Sequence, residues 1–211
     1  MSKITAVSAQ TKNKNRVNIY LDGEFFAGVS LETVMGLRLK VGMDIDEKDI
    51  RNLLELSERS EALNKAVGYI SKTPKTKRQV KEYLLKKGYS DKVVYCVIDK
   101  LSDYNYIDDI AYAAKYIENY KNSQGKHLIE YKLMMKGVCK SDIEAAYGDN
   151  VFSQKDEAFM LAEKHLKNKE PTKENFSKTF RYLIGKGFSY EDAEQALSKL
   201  RGRNDGEDFN G

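Results

Sequence analysis

Leu84-Leu85-Lys86-Lys87-Gly88-Tyr89 returns as Leu133-Met134-Met135-Lys136-Gly137-Val138 and again as Leu183-Ile184-Gly185-Lys186-Gly187-Phe188. The three glycines stand 49 and 50 residues apart. A leucine-bearing run closed by lysine and glycine reads as a helix C-terminus. The last carbonyls of a helix lack partners, and a glycine in the left-handed conformation turns the chain so that the next amides reach them. In that arrangement the residue after the glycine packs on the residue four before the glycine. This pairs Tyr89 with Leu84, Val138 with Leu133 and Phe188 with Leu183, all apolar. The lysine ahead of each glycine suits the negative end of the helix dipole. Recurrence at this period predicts one supersecondary unit copied three times.

Working outward from each glycine, the pattern holds. Val80 and Leu84 match Ile129 and Leu133 at i, i+4; the third copy keeps Leu183 but has Thr179, and Phe180 is expected to take over its packing. Beyond the glycines, Ser90 and Ser189 read as N-caps, and Ser141 with Glu144 has capping-box spacing. Val94 and Val97, Ile143 and Ala146, and Ala193 and Ala196 then mark an i, i+3 face. A further helix precedes each pair, over 61–71, 109–120 and 155–167, with Pro74, Gly125 and Pro171 in the connections. The expectation is three three-helix repeats, 59–108, 109–154 and 155–200, in an elongated array, followed by a frayed, glycine- and acid-rich tail at 201–211.

Residues 1–58 read differently. Alternating stretches at 16–21 and 24–29 flank Asp22-Gly23, a strong two-residue hairpin signal. A sheet of two or three strands is predicted, too small to stand alone. Ser30 is placed as the cap of a short helix ending near Gly36. Asp46 is placed as the cap of another, running to about 56, whose Ile50, Leu53 and Leu54 would cover the sheet. The boundary with the first repeat is set near 57–60. The fold class is thus mainly α: tandem three-helix repeats preceded by a small N-terminal β-hairpin/α segment.

Composition agrees with thin helical layers: 211 residues, 41% hydrophobic and 32% charged. No apolar run is long enough to span a membrane and no secretory signal opens the chain. Cys96 and Cys139 lack metal or redox spacing and read as reduced thiols in a cytoplasmic protein. The net charge of +4 is unevenly spread. Residues 71–90 carry seven bases against one acid, 115–140 six against two, and 173–187 four against one, whereas 44–61 holds seven acids and three bases. The middle helix of every repeat is therefore basic, and parallel stacking of the repeats would join these helices into a positive stripe. The candidate binding residues are Lys75, Lys77, Arg78, Lys81, Lys86 and Lys87, then Lys126, Lys132 and Lys136, then Lys178, Arg181 and Lys186. One helix cannot turn all of its members to one side.

Catalytic patterns are thin. His127 and His165 share no ligand spacing. Asp44, Asp46 and Asp49 lack the glycine and distal glutamate of a calcium loop and read as an acidic helix start. Of Asp103, Asp108 and Asp109, one of the latter two is expected to cap the next helix. No phosphate-binding glycine loop or nucleophile elbow is present. No catalytic residue, metal or cofactor is expected, and binding is favoured over catalysis.

The stretch Lys75-Thr76-Lys77-Arg78-Gln79-Val80-Lys81-Glu82-Tyr83-Leu84-Leu85-Lys86-Lys87-Gly88-Tyr89 resembles the basic helix of the RecX family of regulatory proteins, which modulate the RecA recombinase. Tyr104-Asn105-Tyr106-Ile107-Asp108-Asp109-Ile110-Ala111-Tyr112-Ala113 resembles that family's turn into the second repeat, and Arg181-Tyr182-Leu183-Ile184-Gly185-Lys186-Gly187-Phe188-Ser189-Tyr190 its third repeat. Asn18-Ile19-Tyr20-Leu21-Asp22-Gly23-Glu24-Phe25 looks like the N-terminal extension of longer members. The chain departs from the pattern where His127 stands in place of Arg78, and Gly125 in place of Thr76. The resemblance implies a non-enzymatic monomer that lies in the groove of the RecA–DNA filament. It would impede ATP hydrolysis, strand exchange and coprotease action in DNA repair, recombination and the SOS response. The alternative is a direct DNA-binding protein that competes for single- or double-stranded DNA.

Overall fold

The structure, a computed structural model, describes residues 1–11, 13–148 and 154–207. Four strands and ten helices lie among the described residues, in two compact units that divide between Ile107 and Asp108.

The first unit begins with strands β1 (Ser2–Ala9), β2 (Arg16–Leu21) and β3 (Glu24–Ser30). Asp22 and Gly23 both take positive φ, +48° and +92°, which joins β2 to β3 in a tight hairpin with Leu21 opposite Glu24. Ser30 caps α1 (Leu31–Gly36). The sheet has one strand more than expected: β4 (Asp44–Ile45) pairs with Ser2 and Lys3, giving the antiparallel order β3-β2-β1-β4. Asp44 is therefore a strand residue, and Asp46 alone caps the next helix, accepting from Lys48 and Asp49 amides at 2.9 and 3.2 Å.

That helix, α2 (Glu47–Ile70), corrects the boundary placed at 58/59, which falls inside it. The residues between the two expected helices, Ser57-Glu58-Arg59-Ser60, contain no breaker, and the Glu55–Arg59 ion pair at i, i+4 reaches into the gap. Ile50 and Leu54 of α2 join Ile4, Ile19, Leu21 and Val34 in the sheet's core, while Leu53 is 49% exposed, against expectation. Ala62 and Ala66 of the same helix enter a second core with Val80 and Leu84 of α3 (Lys77–Lys86) and Val94 and Leu101 of α4 (Asp91–Asp103).

Charged groups fasten the sheet to α2 where the two cores meet. Arg16 of β2 lies 3.1 Å from Glu58, each side chain only 10% exposed, and donates to the Gly28 carbonyl at 2.6 Å. Burial pushes the Glu58 carboxyl up despite Arg16. Burial would also raise Glu61, but hydrogen bonds from Lys65, Ser30 and Tyr89 outweigh it and hold that carboxyl at about 2.

The second unit repeats the three-helix plan twice. Helices α5 (Asp109–Tyr120), α6 (Lys126–Met135) and α7 (Lys140–Tyr147) enclose Ala113, Ile117, Ile129, Leu133 and Ile143. Helices α8 (Gln154–Leu166), α9 (Lys173–Gly185) and α10 (Tyr190–Glu207) enclose Ala158, Ala162, Phe176, Leu183, Ala193 and Leu197. Asp108 caps α5. The helix α10 continues past Leu200, where fraying was expected. The next turn is held on α8, with Arg203 3.3 Å from Glu163 and 4.8 Å from the Phe159 ring; residues 208–211 of the expected tail lie outside the described residues.

All three helix ends close alike. Gly88, Gly137 and Gly187 have φ of +93°, +92° and +88°, and the Tyr89, Val138 and Phe188 amides donate to the Leu84, Leu133 and Leu183 carbonyls at 3.3, 3.1 and 3.2 Å. The cap of the following helix falls two residues after each glycine. It is Ser90, Cys139 and Ser189, so Ser141 lies inside α7 rather than capping it. In α9 the buried position belongs to Thr179, not Phe180: its hydroxyl donates to the Asn175 carbonyl at 2.8 Å, and this return bond lets a polar side chain sit in the core. Gly125, the N-cap of α6, donates to the Lys186 carbonyl at 2.8 Å, and the His127 amide reaches the Gly187 carbonyl at 3.2 Å. The end of one repeat's middle helix thus docks on the start of another's.

Candidate functional site

Each middle helix turns a few apolar side chains inward: Val80 and Leu84 on α3, Ile129 and Leu133 on α6, Phe176 and Leu183 on α9. The basic side chains are left to the flanks, and their contacts assign many of them to two directions.

On the flank toward the repeat's first helix, cations sit over aromatic rings. Tyr69 of α2 stacks on Tyr83 of α3 with centroids 4.2 Å apart and planes 8° from parallel. Lys75 lies 5.0 Å from the Tyr69 ring and Lys87 5.6 Å from the Tyr83 ring. The third repeat copies this with His165 on Tyr182, 4.3 Å and 10°, and Lys186 5.4 Å from Tyr182. His165 also meets the Thr179 hydroxyl at 2.9 Å, and burial, then Lys169, lower its pKa. In the second repeat Lys132 occupies the position of Tyr83 and Tyr182, and α5 supplies the rings. Tyr116 and Tyr120 lie 4.4 Å apart, Lys136 is 5.7 Å from Tyr116, and Lys132 donates to Gln124 at 2.9 Å. A cation held on a ring gains about 0.5–1 kcal/mol at an exposed site, and it presents its charge in a fixed place.

On the flank toward the third helix, Lys81 donates to the Tyr95 hydroxyl of α4 and lies 4.3 Å from its ring; that hydrogen bond raises the Lys81 pKa. Lys126 lies 4.9 Å from the Tyr147 ring and 3.8 Å from Glu130. Arg181 lines a groove between α9 and α10. The remaining candidates are at the surface: Arg78 pairs with Glu82 at 3.5 Å, Lys178 with Glu174 at 2.7 Å, and Lys77 and Lys86 are exposed. Exposed i, i+4 pairs contribute a few tenths of a kcal/mol, but they offset part of the positive charge counted along the sequence.

The structure therefore brings Lys75 and Lys87 together about one ring pair and sends Lys81 to the opposite flank; Lys136 and Lys126 are parted in the same way. The sequence reading named the basic residues but not the rings beneath them. A signal was present, since Tyr83–Lys87 and Tyr182–Lys186 share i, i+4 spacing ahead of the repeated glycine. Among the described residues no three of His, Cys, Asp and Glu gather into a metal-binding group.

Two family models match the chain: the regulatory protein RecX N-terminal domain over residues 2–46, and the RecX first three-helix domain over residues 62–101. Curated relatives named regulatory protein RecX include those of Clostridium tetani, 35% identical over 95% of each chain, and Clostridium beijerinckii, 36% identical over 95% of this chain and 96% of the relative. A crystal structure of a regulatory protein RecX is similar over 94% of this chain and all of its own, with TM-score 0.64 and 29% identity. The crystal structure of RecX from Lactobacillus salivarius is similar over 68% of this chain and 96% of its own, with TM-score 0.61 and 27% identity.

Proposed function

The chain belongs to the RecX family of regulatory proteins, which are not enzymes, and from that premise we propose that it binds the RecA–DNA filament and lowers RecA's ATPase, strand-exchange and coprotease activities. The observation that carries this reading is full-length likeness: the relatives match over 95% of both chains, so the N-terminal sheet and all three repeats are shared with proteins named as regulators. The geometry supports it. Each middle helix ends in a lysine held on a ring, Lys87, Lys136 and Lys186, and such a recurrence suits a partner that itself repeats. Several weak contacts to successive protomers then add up without any single tight site. No helix among the described residues is long and apolar enough to cross a membrane, and the proposed workplace is the cytoplasm.

The test is a titration into RecA hydrolysing ATP on single-stranded DNA. Filament binding gives inhibition well below saturation of the DNA by the regulator. Full RecA activity at saturating regulator would end the proposal. Direct competition for DNA is the second reading, favoured by the arginine-lined groove between α9 and α10; inhibition would then track DNA coverage.

A further inference from the structure

The third repeat differs from the others along the seam between its second and third helices. In the first repeat the seam carries Lys81 on Tyr95; in the second it carries Lys126 on Tyr147. Counted from the repeated glycine, the residues in the third repeat that replace Lys81 and Tyr95 are Phe180 and Glu194. Among the described residues no lysine lies on a ring there, and a groove of about 460 Å³ remains between α9 and α10.

Its floor is aromatic. Phe176 is buried, and Phe180 meets Tyr190 edge to face with centroids 4.9 Å apart, leaving Tyr190 67% exposed. Its rim is cationic: Arg181 comes from α9 and Arg201 from α10, the latter 4.9 Å from the Phe176 ring. Neither arginine forms an ion pair among the described residues, whereas Lys178 and Arg203 on the same two helices do.

Two guanidiniums beside an open ring match a phosphate joined to a planar base. Arginine grips phosphate at two points, and a base stacks on an aromatic face whatever its identity. The volume suits one nucleotide. Glu194 on the same rim separates this ligand from an acidic peptide: its carboxylate would repel an acidic side chain but accepts hydrogen bonds from an exocyclic amino group. We propose that this groove holds one nucleotide of a single-stranded nucleic acid, with phosphate on Arg181 and Arg201 and the base on Tyr190. The inference deepens the direct-DNA reading. Its test contains no RecA, so its failure leaves filament binding untouched.

The experiment is fluorescence anisotropy of labelled single-stranded dC and dT 20-mers with the full chain across a salt series. The Arg181→Gln/Arg201→Gln double variant should bind at least tenfold more weakly, and its log affinity should fall less steeply with log salt, by about 0.7 in slope for the one phosphate no longer neutralised. Tyr190→Ala should lose about tenfold with the slope unchanged, and Tyr190→Phe, which keeps the ring, should bind as the parent does. A strand carrying 5-iododeoxyuridine should crosslink to Tyr190. Parental affinity in the folded double arginine variant, loss of affinity in Tyr190→Phe, crosslinks mapping to other residues, or displacement of the strand by a labelled Glu/Phe peptide would each overturn the assignment.

Discussion

The backbone of Gly125 rests directly on the backbone of Gly187: a Cβ built on Gly125 would stand 2.2 Å from the Gly187 carbonyl carbon and oxygen. One built on Gly187 would stand 2.4 Å from the Leu128 Cβ. What looked in the sequence like the loss of a threonine cap is the condition for two helix ends to meet. Gly125→Ala should destabilise the second unit by about 2–4 kcal/mol, since the obstructing atoms are main chain and cannot rotate away. Gly68→Ala in α2, which meets nothing within 4 Å, should instead gain roughly 0.5–1 kcal/mol from helix propensity. Thermal melts of the two variants shifting alike would contradict the contact.

The Arg16–Glu58 pair should behave as a buried ion pair. Arg16→Met leaves a carboxylate buried without its cation and should cost about 3–5 kcal/mol, whereas Arg16→Met with Glu58→Leu should recover most of that loss. Urea unfolding of the single and double variants measures this. Equal losses in both would show that packing, not charge, governs the joint.

Glu61 gives the same joint an acid limit. Its folded carboxyl is held at about 2, below the ordinary glutamate value of 4.5. The unfolded chain therefore takes up its proton first, so the stability this group supplies is full above about pH 4.5 and drains away as pH falls toward 2. Glu61→Gln should be less stable than the parent at pH 7, and the gap should close as the pH is lowered through that window. Glu58 runs the other way, because its folded pKa is raised and ionisation above its ordinary value costs stability. A gap between Glu61→Gln and the parent that stays constant from pH 6 to pH 2 would contradict the proposed hydrogen bonding.

The two flanks of α3 can be told apart by charge reversal. If the lysines on the Tyr69–Tyr83 pair face the filament, Lys75→Glu with Lys87→Glu should weaken inhibition of the RecA ATPase about tenfold, and Lys77→Glu with Lys81→Glu much less. The reverse order would move the contact to the α4 side, and equal effects would point to diffuse electrostatics. Raising salt should shrink the difference.

Local chemistry made much of this fold legible. Gly88, Gly137 and Gly187, the Asp22-Gly23 turn and the caps Ser30, Asp46 and Asp108 are short-range devices whose partners lie within a few residues. What escaped depends on distant partners. The strand β4 has two residues and no alternation to read. Glu58 looks like a solvent residue until Arg16 is placed beside it, and Gly125 like a loop breaker until Gly187 arrives. The rings under Lys87 and Lys186 were visible as tyrosines, but His165 and Tyr69 reach them from another helix.

The unbroken α2 removes any swivel between the N-terminal sheet and the first repeat. At 1.5 Å per residue its 24 residues form a rod about 36 Å long, seated at one end in the sheet's core and at the other in the repeat's. The hairpin tip at Asp22-Gly23 is consequently an outrigger: wherever α3 and α4 anchor, the position of that tip is already decided.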